Sequence, residues 1–122
     1  MAYYMDDKFE GALRCFTKST ELIPNLPKGL EMISGVFYHM GNYKKSLKYL
    51  KKAMQHGANA KNDINFSEFE SFVYYRNALY KETIASVEKA FTYGEKYRNS
   101  DNLNKVYNLA KGKLDSIQSL GN

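Results

Sequence analysis

Apolar and small residues recur along this chain at steps of three and four, the spacing of one face of an α-helix. Between Asn42 and Gly57 they are Ser46, Leu47, Leu50, Ala53 and Met54, and lysines fill most of the opposite face. The same pattern predicts helices near 8–21, 26–40, 43–56, 66–78, 80–97 and 101–119, and no segment sustains the two-residue alternation of a half-buried strand. Side chains mark several ends. Asp7 with Glu10, and Asn65 with Glu68, have the spacing of a capping box, in which one side chain takes an orphan amide and the later acid reaches back. Gly41 followed by Asn42 supplies a left-handed stop and then an N-cap, and Gly57 can close the next helix in the same way. The two segments joined at Gly41 therefore read as a tight helix hairpin.

The hairpin repeats. A shift of 34 residues superposes Tyr3 on Phe37, Tyr4 on Tyr38, Phe9 on Tyr43, Ala12 on Ser46, Leu13 on Leu47, Phe16 on Leu50 and Lys18 on Lys52. A further shift of 37 carries Phe37 to Tyr74, Tyr38 to Tyr75, Tyr43 to Tyr80, Ser46 to Thr83, Leu50 to Val87, Ala53 to Ala90 and Gly57 to Gly94. Size and polarity are conserved across nearly all these pairs, and the longer second spacing places about three inserted residues in the polar loop near Asn59 to Asn65. The last predicted helix carries one apolar stripe, Leu103, Val106, Tyr107, Ala110, Leu114 and Ile117, as expected of a helix that covers the end of a repeat array.

A helix hairpin of 34 residues resembles the tetratricopeptide repeat, and the middle unit carries the pattern most fully in Leu30, Ile33, Ser34, Phe37, Gly41, Tyr43, Ser46, Leu50 and Ala53. The first unit contributes Phe9, Ala12, Phe16 and Pro24 but lacks most of its first helix; the third contributes Tyr74, Ala78, Tyr80, Thr83, Val87 and Ala90. The sequence departs from the family at Ala58, where proline is usual, at Ser34 and Ser71, where glycine or alanine is usual, and at Ser67 and Glu70, where bulky residues are usual. The resemblance implies an all-α fold: a right-handed solenoid of antiparallel helix hairpins with a C-terminal capping helix. It would form one domain over 1–122, with a partial repeat at 1–24, repeats at 25–58 and 62–97, and the capping helix at 100–119. Small residues (Ala12, Ser46, Ala53) would let the helices approach, and Phe16, Phe37 and Tyr74 would fill the gaps. The incomplete first repeat leaves apolar surface to be covered by upstream sequence or by another chain.

Composition narrows the function. At 122 residues the chain fits one small domain. Its 11 Tyr and 7 Phe exceed what a disordered segment carries, and no run approaches the length of a membrane span. The formal net charge is +5, which raises nucleic acid or an acidic membrane surface as partners. Lys44, Lys45, Lys48, Lys51, Lys52 and Lys61 crowd the stretch from Asn42 to Asn62, which has no acid. Cys15 is the only cysteine, so no internal disulfide forms and a reducing compartment fits. With no base beside it, Cys15 reads as a packed or half-buried structural thiol. The first residues lack the features of a secretion signal, and a cytoplasmic location is expected.

Catalysis finds no support. His39 and His56, the only histidines, fall at opposite ends of the hairpin and cannot share a metal; no phosphate loop, nucleophile elbow or metal-binding histidine pair is present. The expectation is a non-enzyme without cofactor. By resemblance, the first helices of the repeats would line a groove for a peptide or partner helix. Lys28, Glu31, Gly35, Tyr38 and His39 would project there from the second repeat, with Phe72, Tyr75 and Arg76 from the third. Rings and a forked guanidinium make sound anchors. The competing reading is that Tyr38, Phe72 and Tyr75 simply pack between repeats or against the last helix. The lysine, asparagine and arginine clamp with which some family members hold chaperone tails is replaced here by Glu31, Gly35, Glu68 and Phe72. Two acids would repel a terminal carboxylate, so no chaperone C-terminal tail is expected as partner. Two further readings stand behind the groove. One is a homodimer through the incomplete first repeat. The other, weaker, is phosphate or nucleic-acid contact through Lys44, Lys48, Lys51 and Lys52, residues otherwise read as an ordinary solvated face.

Overall fold

The computed structural model describes residues 10–15, 17–18 and 26–121, and every regular element among them is helical. Backbone contacts group the chain into two compact units, 1–58 and 59–122.

In the first unit, residues 10–15 and 17–18 are helical. Cys15 is exposed there, which corrects its reading as a packed thiol: it faces water on a helix whose half-buried positions are Gly11, Ala12 and Leu13. Tyr3, Tyr4, Asp7, Phe9, Phe16 and Pro24, on which the first repeat and its cap were drawn, lie outside the described residues. Helices α1 (Pro27–His39) and α2 (Tyr43–Gln55) then form a packed pair. Pro27 sits in the first turn of α1, where a missing N–H costs nothing because no carbonyl precedes it. The pair buries Leu30, Ile33, Val36 and Phe37 from α1 with Leu50 and Ala53 from α2. The buried arc of α2 is narrower than its sequence stripe. Leu47 is half-buried and Met54 exposed, because both lie at the edge of an arc centred on Ser46, Leu50 and Ala53. Ser34 and Ser46 are wholly buried at the contact, and Ser34 Oγ donates to the Ser46 carbonyl at 2.6 Å and lies 3.1 Å from Ser46 Oγ, so serine stands at position 34 in place of the expected glycine or alanine without an orphan hydroxyl.

The turn between α1 and α2 is a Schellman closure. Gly41, at φ 84°, donates its N–H to the Tyr38 carbonyl, and the Asn42 N–H reaches the Phe37 carbonyl at 2.9 Å. The Asn42 side chain then accepts the Lys45 N–H at 3.2 Å and starts α2.

The second unit holds a 3₁₀ turn (Ala60–Asn62), α3 (Ile64–Arg76), α4 (Tyr80–Phe91), the single-turn α5 (Glu95–Arg98) and α6 (Asp101–Gly121). Two expectations need correction. α3 starts earlier than predicted, and the Asn65–Glu68 capping box does not form. The Asp63 carboxylate takes the amides of Asn65 and Phe66, a stronger arrangement at the positive end of a helix, and Glu68 accepts from Ser100 Oγ at 2.7 Å instead. The helix predicted over 80–97 is also interrupted. Gly94 has φ 145° and ψ 176°, a conformation that side chains exclude, and α4 stops at Phe91 with Thr92 Oγ1 bonded to the Lys89 carbonyl and Arg98 Nη1 to the Phe91 carbonyl. The break turns Tyr97 inward, where its hydroxyl donates to the carbonyls of Ala60 and Lys61 and ties the 3₁₀ turn to α5.

Tyr97, Val87, Ala90, Leu103 and Val106 form the core of this unit. α6 packs on α3 and α4 through Leu103, Val106 and Ala110, all fully buried, and Ser100 starts it by accepting the Leu103 N–H. Beyond Ala110 the stripe leaves its cover, with Leu114 half-buried and Ile117 54% exposed.

The two hairpins reproduce each other at a spacing of 37 residues. Ala78 N–H to the Tyr75 carbonyl and Leu79 N–H to the Tyr74 carbonyl match the Gly41 and Asn42 bonds one for one. The Tyr38–Tyr43 ring contact, 5.3 Å between centroids, has its counterpart in Tyr75–Tyr80 at 5.6 Å. Ala78 occupies the place of Gly41 at φ 59°, a left-handed conformation that a β-carbon disfavours. Ala78→Gly should therefore raise stability by about 1 kcal/mol and Gly41→Ala should lower it by a similar amount, read as opposite shifts in thermal midpoint.

Candidate functional site

Residues singled out on α1 and α3 occupy equivalent register positions: Glu31 with Glu68, Gly35 with Phe72, Tyr38 with Tyr75, and His39 with Arg76. On α1, Lys28 forms an exposed ion pair with Glu31 one turn later, at 3.7 Å. Such a pair contributes little to stability, but it holds Glu31, whose side chain is 21% exposed. Gly35 leaves open space where a side chain would stand. Tyr38 is half-buried, edge-on to Tyr43 and to the exposed His39.

On α3 the same face is partly occupied by the protein itself. Phe72 and Tyr75 are half-buried and pack against the core made by Val87, Ala90, Tyr97, Leu103 and Val106. Glu68 accepts hydrogen bonds from Ser100 and Asn102, at the start of α6. Arg76 is exposed at the end of the helix. Phe72 and Tyr75 thus serve the core of their own unit while leaving only part of each ring to solvent.

Lys44, Lys48, Lys51 and Lys52 are all exposed on α2, and Lys45 joins them. Two features were hidden in the sequence. Tyr49 stacks on Phe37 with centroids 5.5 Å apart, and the ammonium groups of Lys48 and Lys52 lie 5.9 and 5.3 Å from the Tyr49 ring centre. Lys45 lies 5.4 Å from the Phe37 ring. The aromatics near the lysines are therefore packing residues whose π-faces are already used.

Ser67 and Glu70 place polar groups where α1 has Leu30 and Ile33. Ser67 is wholly buried and its Oγ has no hydrogen-bond partner among the described residues. Glu70 is 7% exposed, and burial pushes its carboxyl above the usual carboxylate range against the opposing pull of the Lys89 charge. The Tyr74 hydroxyl is pushed up to about 12, first by burial and then by the charges of Glu70 and Glu82. Ser71, by contrast, is satisfied through the Ser67 carbonyl and Ser86 Oγ.

No group of three or more His, Cys, Asp or Glu among the described residues is placed to hold a metal. No helix among them is long and apolar enough to cross a membrane. No protein-family model matches the chain, and no curated protein is significantly similar to it.

Glu70 titrates in a direction that can be measured. Its raised value means that the folded state keeps a proton which the unfolded chain gives up near 4.5, so stability falls as pH rises from there through the raised value. Glu70→Gln should melt higher than the wild type at about pH 7, with the gain shrinking toward about pH 4. Ser67→Ala removes an orphan hydroxyl and should add about 1 kcal/mol at both pH values.

Proposed function

We propose that this chain is a tetratricopeptide-like α-solenoid acting as a non-catalytic interaction module, which binds a peptide or partner helix against the first helices of its hairpins. The observation that carries the reading is the one-for-one match of the two hairpins in closing hydrogen bonds, left-handed turn residue and tyrosine pair, the mark of one structural unit used twice. Such units present equivalent positions on successive first helices, here Lys28, Glu31, Tyr38 and His39 on α1 and Phe72, Tyr75 and Arg76 on α3. The ring faces and charged heads among them supply contact area and directed hydrogen bonds without any catalytic group.

The test must avoid the residues that hold the core. Truncating Phe72 or Tyr75 would remove packing against the core of the second unit, so lost binding could follow from lost structure. Lys28, His39 and Arg76 are exposed and make the cleaner probe. Quantitative mass spectrometry of proteins captured by the wild type and by a Lys28→Ala, His39→Ala, Arg76→Ala variant should show partners depleted about tenfold or more in the variant, the equivalent of about 1.4 kcal/mol, at an unchanged thermal midpoint. Identical capture by both proteins would remove the α1 and α3 face as the site. A dimer at every concentration in light scattering, with no partner captured, would favour self-assembly.

A further inference from the structure

The excess positive charge of this protein sits on one helix. α2 carries Lys44, Lys45, Lys48, Lys51 and Lys52 and no acid, and the rest of the chain has 13 basic residues against 13 acidic ones. At about 100° per residue these five lysines fall within an arc of about 120°, directly opposite Ser46, Leu50 and Ala53. Those three are buried, and all five lysines are exposed. None of the lysines has a carboxylate within ion-pair distance among the described residues. The lysines run from Lys44 to Lys52, so the charged face is about 12 Å long. Lys45, Lys48 and Lys52 lie against the Phe37 and Tyr49 rings at 5.3 to 5.9 Å, which orders their stems.

The chemistry of the face selects among polyanions. It contains no arginine, so it lacks the forked donor that reads a single phosphate or carboxylate. Its rings lie beneath lysines, which leaves no platform on which unpaired bases could stack. Duplex nucleic acid is held in register by hydroxyl, amide and guanidinium donors beside lysine, and Gln55 is the only other residue within the arc. An acidic partner helix would meet one ridge of side chains, which leaves much of so wide an arc unused. A broad array of undirected ammonium groups matches a plane of negative charge, where every lysine can contribute at once. We propose that the lysine face of α2 docks this protein reversibly on an anionic lipid bilayer by charge alone, lying along the surface without insertion, since no apolar residue falls within the arc. This inference is independent of the α1 and α3 face.

The experiment is sedimentation of the purified chain with vesicles of phosphatidylcholine alone or with about 30% phosphatidylserine, at about 0.05 M and about 0.5 M salt. Binding should require phosphatidylserine and disappear at the higher salt. Lys44→Gln, Lys48→Gln, Lys52→Gln together should weaken partitioning about 100-fold, from about fivefold per lysine, the equivalent of about 1 kcal/mol each. The corresponding Lys→Arg triple keeps the charge and should bind like the wild type. A control triple at exposed Lys81, Lys105 and Lys113, which removes the same net charge outside α2, should change partitioning much less. The proposal is overturned if anionic vesicles are not bound, if the control weakens binding as much as the α2 triple, or if the arginine triple loses binding. It is equally overturned if a DNA duplex or polyglutamate binds the same lysines more tightly than the vesicles at equal salt.

Discussion

The close antiparallel contact between two helices of equal length is the constraint from which most of this structure follows. In the first hairpin it is made at Ser34 and Ser46, both wholly buried, with the Ser34 hydroxyl bonded across the contact. Residues this small let the backbones approach, and the larger chains on either side, Leu30, Ile33, Phe37 and Leu50, then have a fixed surface to fill. The approach in turn limits the connection to a few residues, and only a left-handed residue closes it. Gly41 supplies that conformation freely; in the second hairpin Ala78 is held in it by the surrounding bonds. That the same turn forms with alanine indicates that packing, rather than glycine, dictates the geometry.

Helix periodicity made the elements legible because the first hairpin has one buried arc per helix, and α2 is the clearest case. α3 is harder to read. Phe66, Ser67, Glu70, Ser71 and Val73 are buried on one face, but three of the five are polar while Phe69, Phe72, Tyr74 and Tyr75 are only half-buried, so no apolar stripe predicts it. Its start was misplaced because two potential caps lie close together, and a charged carboxylate at Asp63 outcompetes the amide of Asn65. The interruption after Phe91 was legible in principle. Gly94 aligns with Gly57, and the left-handed stop assigned to the one applies to the other; apolar spacing through Tyr97 concealed it, because Tyr97 is indeed buried, but from a separate turn of helix. For the candidate site, the sequence gives the register of the α1 and α3 positions, while the use of Phe72 and Tyr75 in the core of the second unit depends on contacts between residues far apart in the chain.

The second hairpin keeps the closing turn and the tyrosine pair of the first while burying polar residues on α3. Ser71 remains compatible because its hydroxyl finds the Ser67 carbonyl and Ser86. Ser67 and Glu70 are less well accommodated, one with an orphan hydroxyl and the other with a carboxyl that burial disfavours as an anion. Both stand where α1 has apolar Leu30 and Ile33. The cost is tolerated because the fold of this unit rests elsewhere, on Val87, Ala90, Tyr97, Leu103 and Val106, and on the hydroxyl of Tyr97 that fixes the 3₁₀ turn.

The first hairpin divides its two kinds of surface between its two helices, and the division has a physical origin. α1 is apolar through most of its circumference, so its accessible positions are few and varied: a paired lysine, a methionine and a histidine that are exposed, and a bare glycine and a tyrosine edge that are half-buried. That variety suits directed contact with a shaped partner. α2 buries a narrow arc, and its wide remainder must be polar for the hairpin to stay in water, a requirement that any mixture of charges would satisfy. Mixed charges would also form pairs along the helix and stabilise it. Five lysines with no acid forgo those pairs and repel one another, which solvation alone does not require. A uniform sign on a face that stability would rather see mixed points to selection for an external field, and a field of that kind acts on extended charge rather than on a single bonded group.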